Sequence, residues 1–188
     1  MKKLLSIIAV ITFIFIGCSN DVNINNPVDN LEGWEVVTRE VPEGLQVNEI
    51  FTVSKVINGS TGGFLFTGDI VETKNGTRGC VYGLLSFPAG AFYGTKTITM
   101  TLDNKKLSGT FGPSMSFNKP ASFSALFAGV NLRNSTQSDF KFVYWDPSGN
   151  SYEIPSTFLY FDKEKGVLGI LNAELPHFSR YVFVRKSR

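Results

Sequence analysis

Apolar positions along this chain fall into three regimes. They dominate the 13 residues from Leu4 to Ile16, thin out among Asn and Asp from Ser19 to Gly33, and return from Trp34 onward in short bursts. The bursts are rich in Val, Ile, Phe, Thr and Tyr. Gly, Pro or Asn interrupts them at short intervals, the pattern of an all-β sandwich or barrel. The predicted strands are 34–38, 49–57, 63–72, 79–87, 96–102, 107–111, 121–128, 140–145, 152–154, 157–162, 166–173 and 178–184. Asn58-Gly59, Asn75-Gly76, Asp103-Asn104, Asp146-Pro147-Ser148-Gly149 and Lys165-Gly166 lie between them, and such pairs permit the positive φ angles of tight turns. Asn58, Asn75 and Asn134 also open glycosylation sequons, read here as turn residues. No long helical period and no internal repeat is present. The expected fold is one all-β domain over 34–188, a two-sheet antiparallel sandwich.

Within 140–145 the alternation sets Phe140, Phe142 and Tyr144 on one face and Lys141, Val143 and Trp145 on the other. The first face is expected in the core. Trp145, beside Asp146, is expected to pack at the edge of the sandwich rather than to serve as a stacking platform.

The 13-residue apolar stretch follows Lys2 and Lys3 and ends at Gly17 and Cys18, the layout of a cleaved leader at 1–17. Thirteen residues fall short of the roughly 20 that a membrane span needs. A plain secretory signal would also end on a small residue such as Gly17; the thiol that follows at once favours another reading. Phe15-Ile16-Gly17-Cys18 resembles the lipobox of bacterial lipoproteins, with Phe15 where that family usually carries Leu. The resemblance implies that Cys18 becomes the first mature residue and is lipidated, and several acyl chains at about 0.8 kcal/mol per buried CH₂ make such anchoring close to irreversible. Residues 18–33 then form a tether. Its 15 residues after the anchor, rich in Asn and Asp, reach about 20 Å as a flexible coil. Ser19, where inner-membrane retention would use Asp, points to the outer membrane if the source has one.

Charge narrows the partners. Without Lys2 and Lys3 the chain carries 16 basic against 16 acidic residues, which leaves no electrostatic footprint for nucleic acid. The basic run Arg185-Lys186-Ser187-Arg188 is read as a solvated end. With Cys18 lipidated, Cys80 has no disulfide partner and is expected to act as a small buried hydrophobe. No Gly-x-Ser-x-Gly elbow, His-Glu-x-x-His, Cys-x-x-Cys, Walker or Gly-x-Gly-x-x-Gly motif is present, so no enzyme, metal or cofactor is expected. Asp103, Asp146, Asp162 and Glu164 fall in predicted turns.

Two stretches stand apart from generic β sequence. Gly62-Gly63, then Leu85-Ser86-Phe87-Pro88-Ala89-Gly90-Ala91-Phe92, then Thr97-Ile98-Thr99-Met100, then Phe111-Gly112-Pro113 through Pro120-Ala121-Ser122-Phe123 resemble the ZU-five domain of ankyrins, netrin receptors and zonula occludens protein. The likeness runs over 62–128 and implies a β-sandwich interaction module. In physical terms, Pro88 ends a strand, Gly90 allows a corner, Ala91 fits beneath it, and Pro120 belongs at a strand start or on an edge. His177-Phe178-Ser179 is similar to the triplet that some animal relatives cleave between Phe and Ser, the Ser hydroxyl attacking the preceding carbonyl with help from His. Here the triplet is expected to stay intact, Phe178 and Tyr181 packing in the last strand with His177 at its entrance. The expected function is a lipid-anchored envelope module that engages another protein. A carbohydrate-binding surface module and a self-processing domain are the alternatives.

Overall fold

A computed structural model describes residues 33–39, 50–72, 78–145, 151–156 and 158–187. The leader, Cys18, most of the proposed tether, and the turns at Asn75-Gly76 and 146–149 lie outside the described residues. Twelve strands follow one another: β1 Trp34–Val36, β2 Ile50–Asn58, β3 Gly63–Glu72, β4 Arg78–Phe87, β5 Thr95–Asp103, β6 Ser108–Gly112, β7 Ser116–Ala128, β8 Phe140–Trp145, β9 Ser151–Glu153, β10 Phe158–Asp162, β11 Val167–His177 and β12 Arg180–Lys186. They form two antiparallel sheets. One runs β2-β5-β6-β12-β8-β9, with β1 also on β12; the other runs β10-β11-β7-β4-β3. The expected two-sheet sandwich is what the chain adopts.

The core forms because alternate residues of each strand are large and apolar. Phe123 and Phe127 of β7 meet Phe142, Phe183 and Phe111 from the opposite sheet, the Phe111 and Phe123 ring centroids lying 4.9 Å apart. Leu65, Leu85, Met100, Leu102, Leu168 and Tyr181 are fully buried among them. Ring pairs at this spacing add to area burial through edge and offset stacking.

Turns follow their side chains. Asp103 Oδ1 accepts the backbone N–H groups of Lys105 and Lys106, and Asp162 Oδ1 accepts that of Lys165 ahead of Gly166 at φ +62°. The Lys165 hydrogen bond holds the Asp162 carboxyl below its usual range. These carboxylates shape hairpins.

Three expectations need correction. Asn58-Gly59 does not close a hairpin within one sheet: β2 pairs with β5 while β3 pairs with β4, so the chain crosses between sheets at this point. Pro120 is inside the 13-residue β7, not at its start. It is tolerated because the pairing of β7 with β11 is irregular there, jumping from Ser116↔His177 to Ala121↔Leu175, so no regular ladder needs its missing N–H. The last strand begins at Arg180, which leaves Phe178 and Ser179 in the connection from β11.

Candidate functional site

At the β11–β12 connection, Phe178 is buried and donates its N–H to the Met115 carbonyl at 2.8 Å, and the Ser179 carbonyl accepts the Phe111 N–H at 3.0 Å. The His177 ring stands edge-on to Tyr144, 4.6 Å between centroids. The Tyr181 hydroxyl donates to the His177 carbonyl at 2.7 Å, and its oxygen lies 3.5 Å from His177 Nδ1. Burial pushes the Tyr181 phenol far above its ordinary range. Ser179 instead lines a groove on the outer side of the first sheet, with Val182 and Trp145. Among the described residues no hydrogen bond joins His177 to Ser179. Self-cleavage requires the hydroxyl about 3 Å from the Phe178 carbonyl with a base aimed at it. Denaturing mass spectrometry is expected to show no ten-residue fragment 179–188. Its appearance, and its loss on Ser179→Ala, would establish self-processing.

Burial lowers the His177 pKa, partly opposed by a hydrogen bond with the Phe178 backbone. The native state therefore favours neutral imidazole, whereas the unfolded chain takes up a proton near pH 6.5. Stability is fully present above that pH and falls as the pH drops through the lower native value. The difference in denaturation midpoint between the native chain and His177→Gln is expected to shift against the native chain from pH 7.5 to pH 5. A constant difference would show that the imidazole is not desolvated.

The other sequence candidates separate. Cys80 is half-buried at the start of β4 and makes no disulfide. Phe140 and Phe142 enter the core as expected, and Val143 joins Val182, Val184, Trp34, Val36 and Trp145 in a second apolar cluster, so Trp145 packs. Among the described residues no three His, Cys, Asp or Glu side chains gather as metal ligands.

Six of the nine exposed large apolar side chains among the described residues lie elsewhere, on the outer face of the second sheet. The strand registers set them in rows. Tyr160, Gly169, Leu126, Tyr82 and Gly68 cross the five strands; beside them lie Phe158, Leu171, Ser124, Leu84 and Phe66; beyond these come Glu174, Ser122, Ser86 and Phe64. Phe66, Phe64 and Ile70 are each more than half exposed, and Phe158, Leu84 and Leu171 more than a third.

The glycines make this face flat. A Cβ on Gly68 would sit 2.2 Å from the Tyr82 ring, and one on Gly169 would sit 2.3 Å from Leu126, so each neighbour lies down over the bare backbone. Phe66 stacks beside Tyr82 at 6.0 Å. The first sheet is more mixed: its outer surface at β2 and β5 carries hydroxyl pairs, Thr52 with Thr101 and Ser54 with Thr99, between the exposed Ile50 and Val56.

Sequence reasoning looked for exposed aromatics on β8 and missed this face. The signal was Phe64-Leu65-Phe66 in β3, apolar on both sides of a strand that ends up at a sheet edge. No protein-family model matches the chain, and no curated protein and no solved structure is significantly similar to it.

Proposed function

We propose that this chain is a lipid-anchored cell-envelope protein whose sandwich is a structural or protein-interaction module, docking its partner through the outer face of the second sheet. The observation that carries the reading is the set of exposed apolar side chains on this one face, Phe64, Phe66, Ile70, Leu84, Phe158 and Leu171. Apolar patches of this kind mark interaction sites, because leaving them in water costs free energy that a partner recovers. The lipobox-like stretch ending at Cys18, the balanced charge and the ZU-five resemblance over 62–128 support the same class. The module needs no cofactor and performs no chemistry in this reading.

Two arms test it in cells. A photo-crosslinking residue at Phe66 is expected to yield a discrete protein adduct, and one at Thr99, on the opposite outer face, to yield none. The same pattern from both positions, or nothing from Phe66, would overturn the docking face. For the anchor, Cys18→Ser is expected to move the protein from detergent to aqueous phase on phase partition. Retention of that variant as a cleaved, unlipidated form would overturn lipidation.

A second reading, binding of glycan, draws on the stacked Phe66 and Tyr82 rings beside Ser86 and Ser122. Retardation of the protein in gels containing soluble envelope polysaccharide, lost on Phe66→Ala, would favour it.

A further inference from the structure

The opposite outer face carries a different feature. On one edge of β12, two strands meet end to end: β6 pairs with Arg180–Val182 and β1 with Val184–Lys186. Phe183 marks the junction, its carbonyl accepting the Val37 N–H at 2.9 Å and its N–H donating to the Leu107 carbonyl at 3.2 Å. A half-open groove of about 550 Å³ lies over this junction, within the usual size range of small-molecule sites. Val36, Val182 and Trp145 give it apolar walls, and Lys106 and Arg180 bring two cations. Ser179 and Thr38 add hydroxyls, and among the described residues no carboxylate lines it.

The cations are not spent on internal pairs. Among the described residues neither Lys106 nor Arg180 forms an ion pair: the ion pairs there are Lys141 with Glu153, Lys165 with Asp162, and Arg185 with Glu35. The turn carboxylate of Asp103, three residues before Lys106, accepts the backbone N–H groups of Lys105 and Lys106. The described lining, an apolar trough with two cations and no anion, complements a molecule with an apolar body and an anionic head.

We propose that this groove binds one free anionic amphiphile, a fatty-acid-like carboxylate. Its chain lies against Trp145, Val36 and Val182, and its head meets Lys106, Arg180 and the Ser179 hydroxyl. The source is a free monomer and not a bilayer surface. In a bilayer the chains are hidden beneath the headgroups, whereas the groove offers its apolar surface to the chain. Charge-assisted hydrogen bonds fix the head, and burial of the chain supplies affinity. The proposal uses a different face from the partner-docking surface and stands or falls separately from it.

The test uses the Cys18→Ser chain, purified without detergent, with Trp34→Phe added so that Trp145 is the only tryptophan. Decanoate, titrated below its micelle concentration, is expected to shift the Trp145 emission saturably. Decanol, with the same chain and no charge, is expected to bind at least tenfold more weakly, and acetate not at all. Lys106→Ala with Arg180→Ala, both exposed and checked for folding by circular dichroism, is expected to lower decanoate affinity about tenfold and leave decanol unchanged. Equal binding of decanol and decanoate, no saturable shift, or a response only to vesicles of anionic phospholipid would each overturn the proposal.

Discussion

Phe178→Ala is expected to destabilise the sandwich by about 3–5 kcal/mol, the range for truncating a buried Phe whose site cannot collapse. The site is built from both sheets. Phe178 meets Phe117 of β7 edge-on at 4.8 Å, Phe87 of β4 at 5.9 Å and Phe111 of β6 in a stacked arrangement at 5.7 Å. Its backbone N–H is tied to Met115, so neither the chain nor the rings can close the gap by a small shift. Phe178→Leu should recover part of the loss by restoring volume without ring contacts. Ser179→Ala, next door, should change stability by no more than about 0.5 kcal/mol, as for most surface changes. Urea denaturation of the three variants measures this. If Phe178→Ala costs no more than Ser179→Ala, the end of the core is not packed as described.

Gly59→Ala is expected to cost about 3 kcal/mol, at the upper end of forced overpacking, because the obstacle is backbone. A Cβ at residue 59 would lie 2.0 Å from the carbonyl oxygen of Phe92. The crossing from β2 to β3 is pressed against the loop after β4: the Gly59 N–H donates to Gly94 O at 2.9 Å, and the Gly59 carbonyl accepts the Gly90 N–H at 2.8 Å. Relief of the clash therefore breaks hydrogen bonds on both sides. Gly94 is the control, at φ +73° with nothing within 4 Å of its notional Cβ. Gly94→Ala pays only for a left-handed backbone, about 1 kcal/mol. Thermal melting of both variants ranks them, and a larger loss at Gly94 would contradict this arrangement.

All twelve strands were legible in the sequence, and 63–72 and 140–145 fall on the expected residues. Period-two alternation and turn residues are local signals, and they sufficed. Pairing was not legible, because it joins distant segments. Asn58-Gly59 looks like a hairpin, yet the glycine is needed for close approach to Phe92 rather than for a positive φ. Gly90 does adopt the left-handed conformation expected of the Pro88–Phe92 corner, at φ +83°, and Ala91 is fully buried beneath it. The docking face escaped notice because Leu65 and Phe66 are equally apolar in sequence, and only the packing of one face of β3 onto the opposite sheet decides which is exposed. The groove was out of reach for the same reason: its walls come from Val36, Lys106, Trp145 and Val182, which only the three-dimensional pairing of β12 brings together.

The position of β12 bears on how the protein is made. It is the last strand in chain order, yet it sits inside its sheet, between β8 on one side and β6 with β1 on the other. Until its residues arrive, those three strands have no common neighbour, and Phe127 and Phe142 lack the Tyr181 and Phe183 rings that cover them. A chain emerging from its N-terminus thus cannot complete the sandwich early, since such non-local pairing must wait for both ends. The two sheets can therefore close on each other only once β12 has joined them, so closure is a late, concerted step rather than a gradual one.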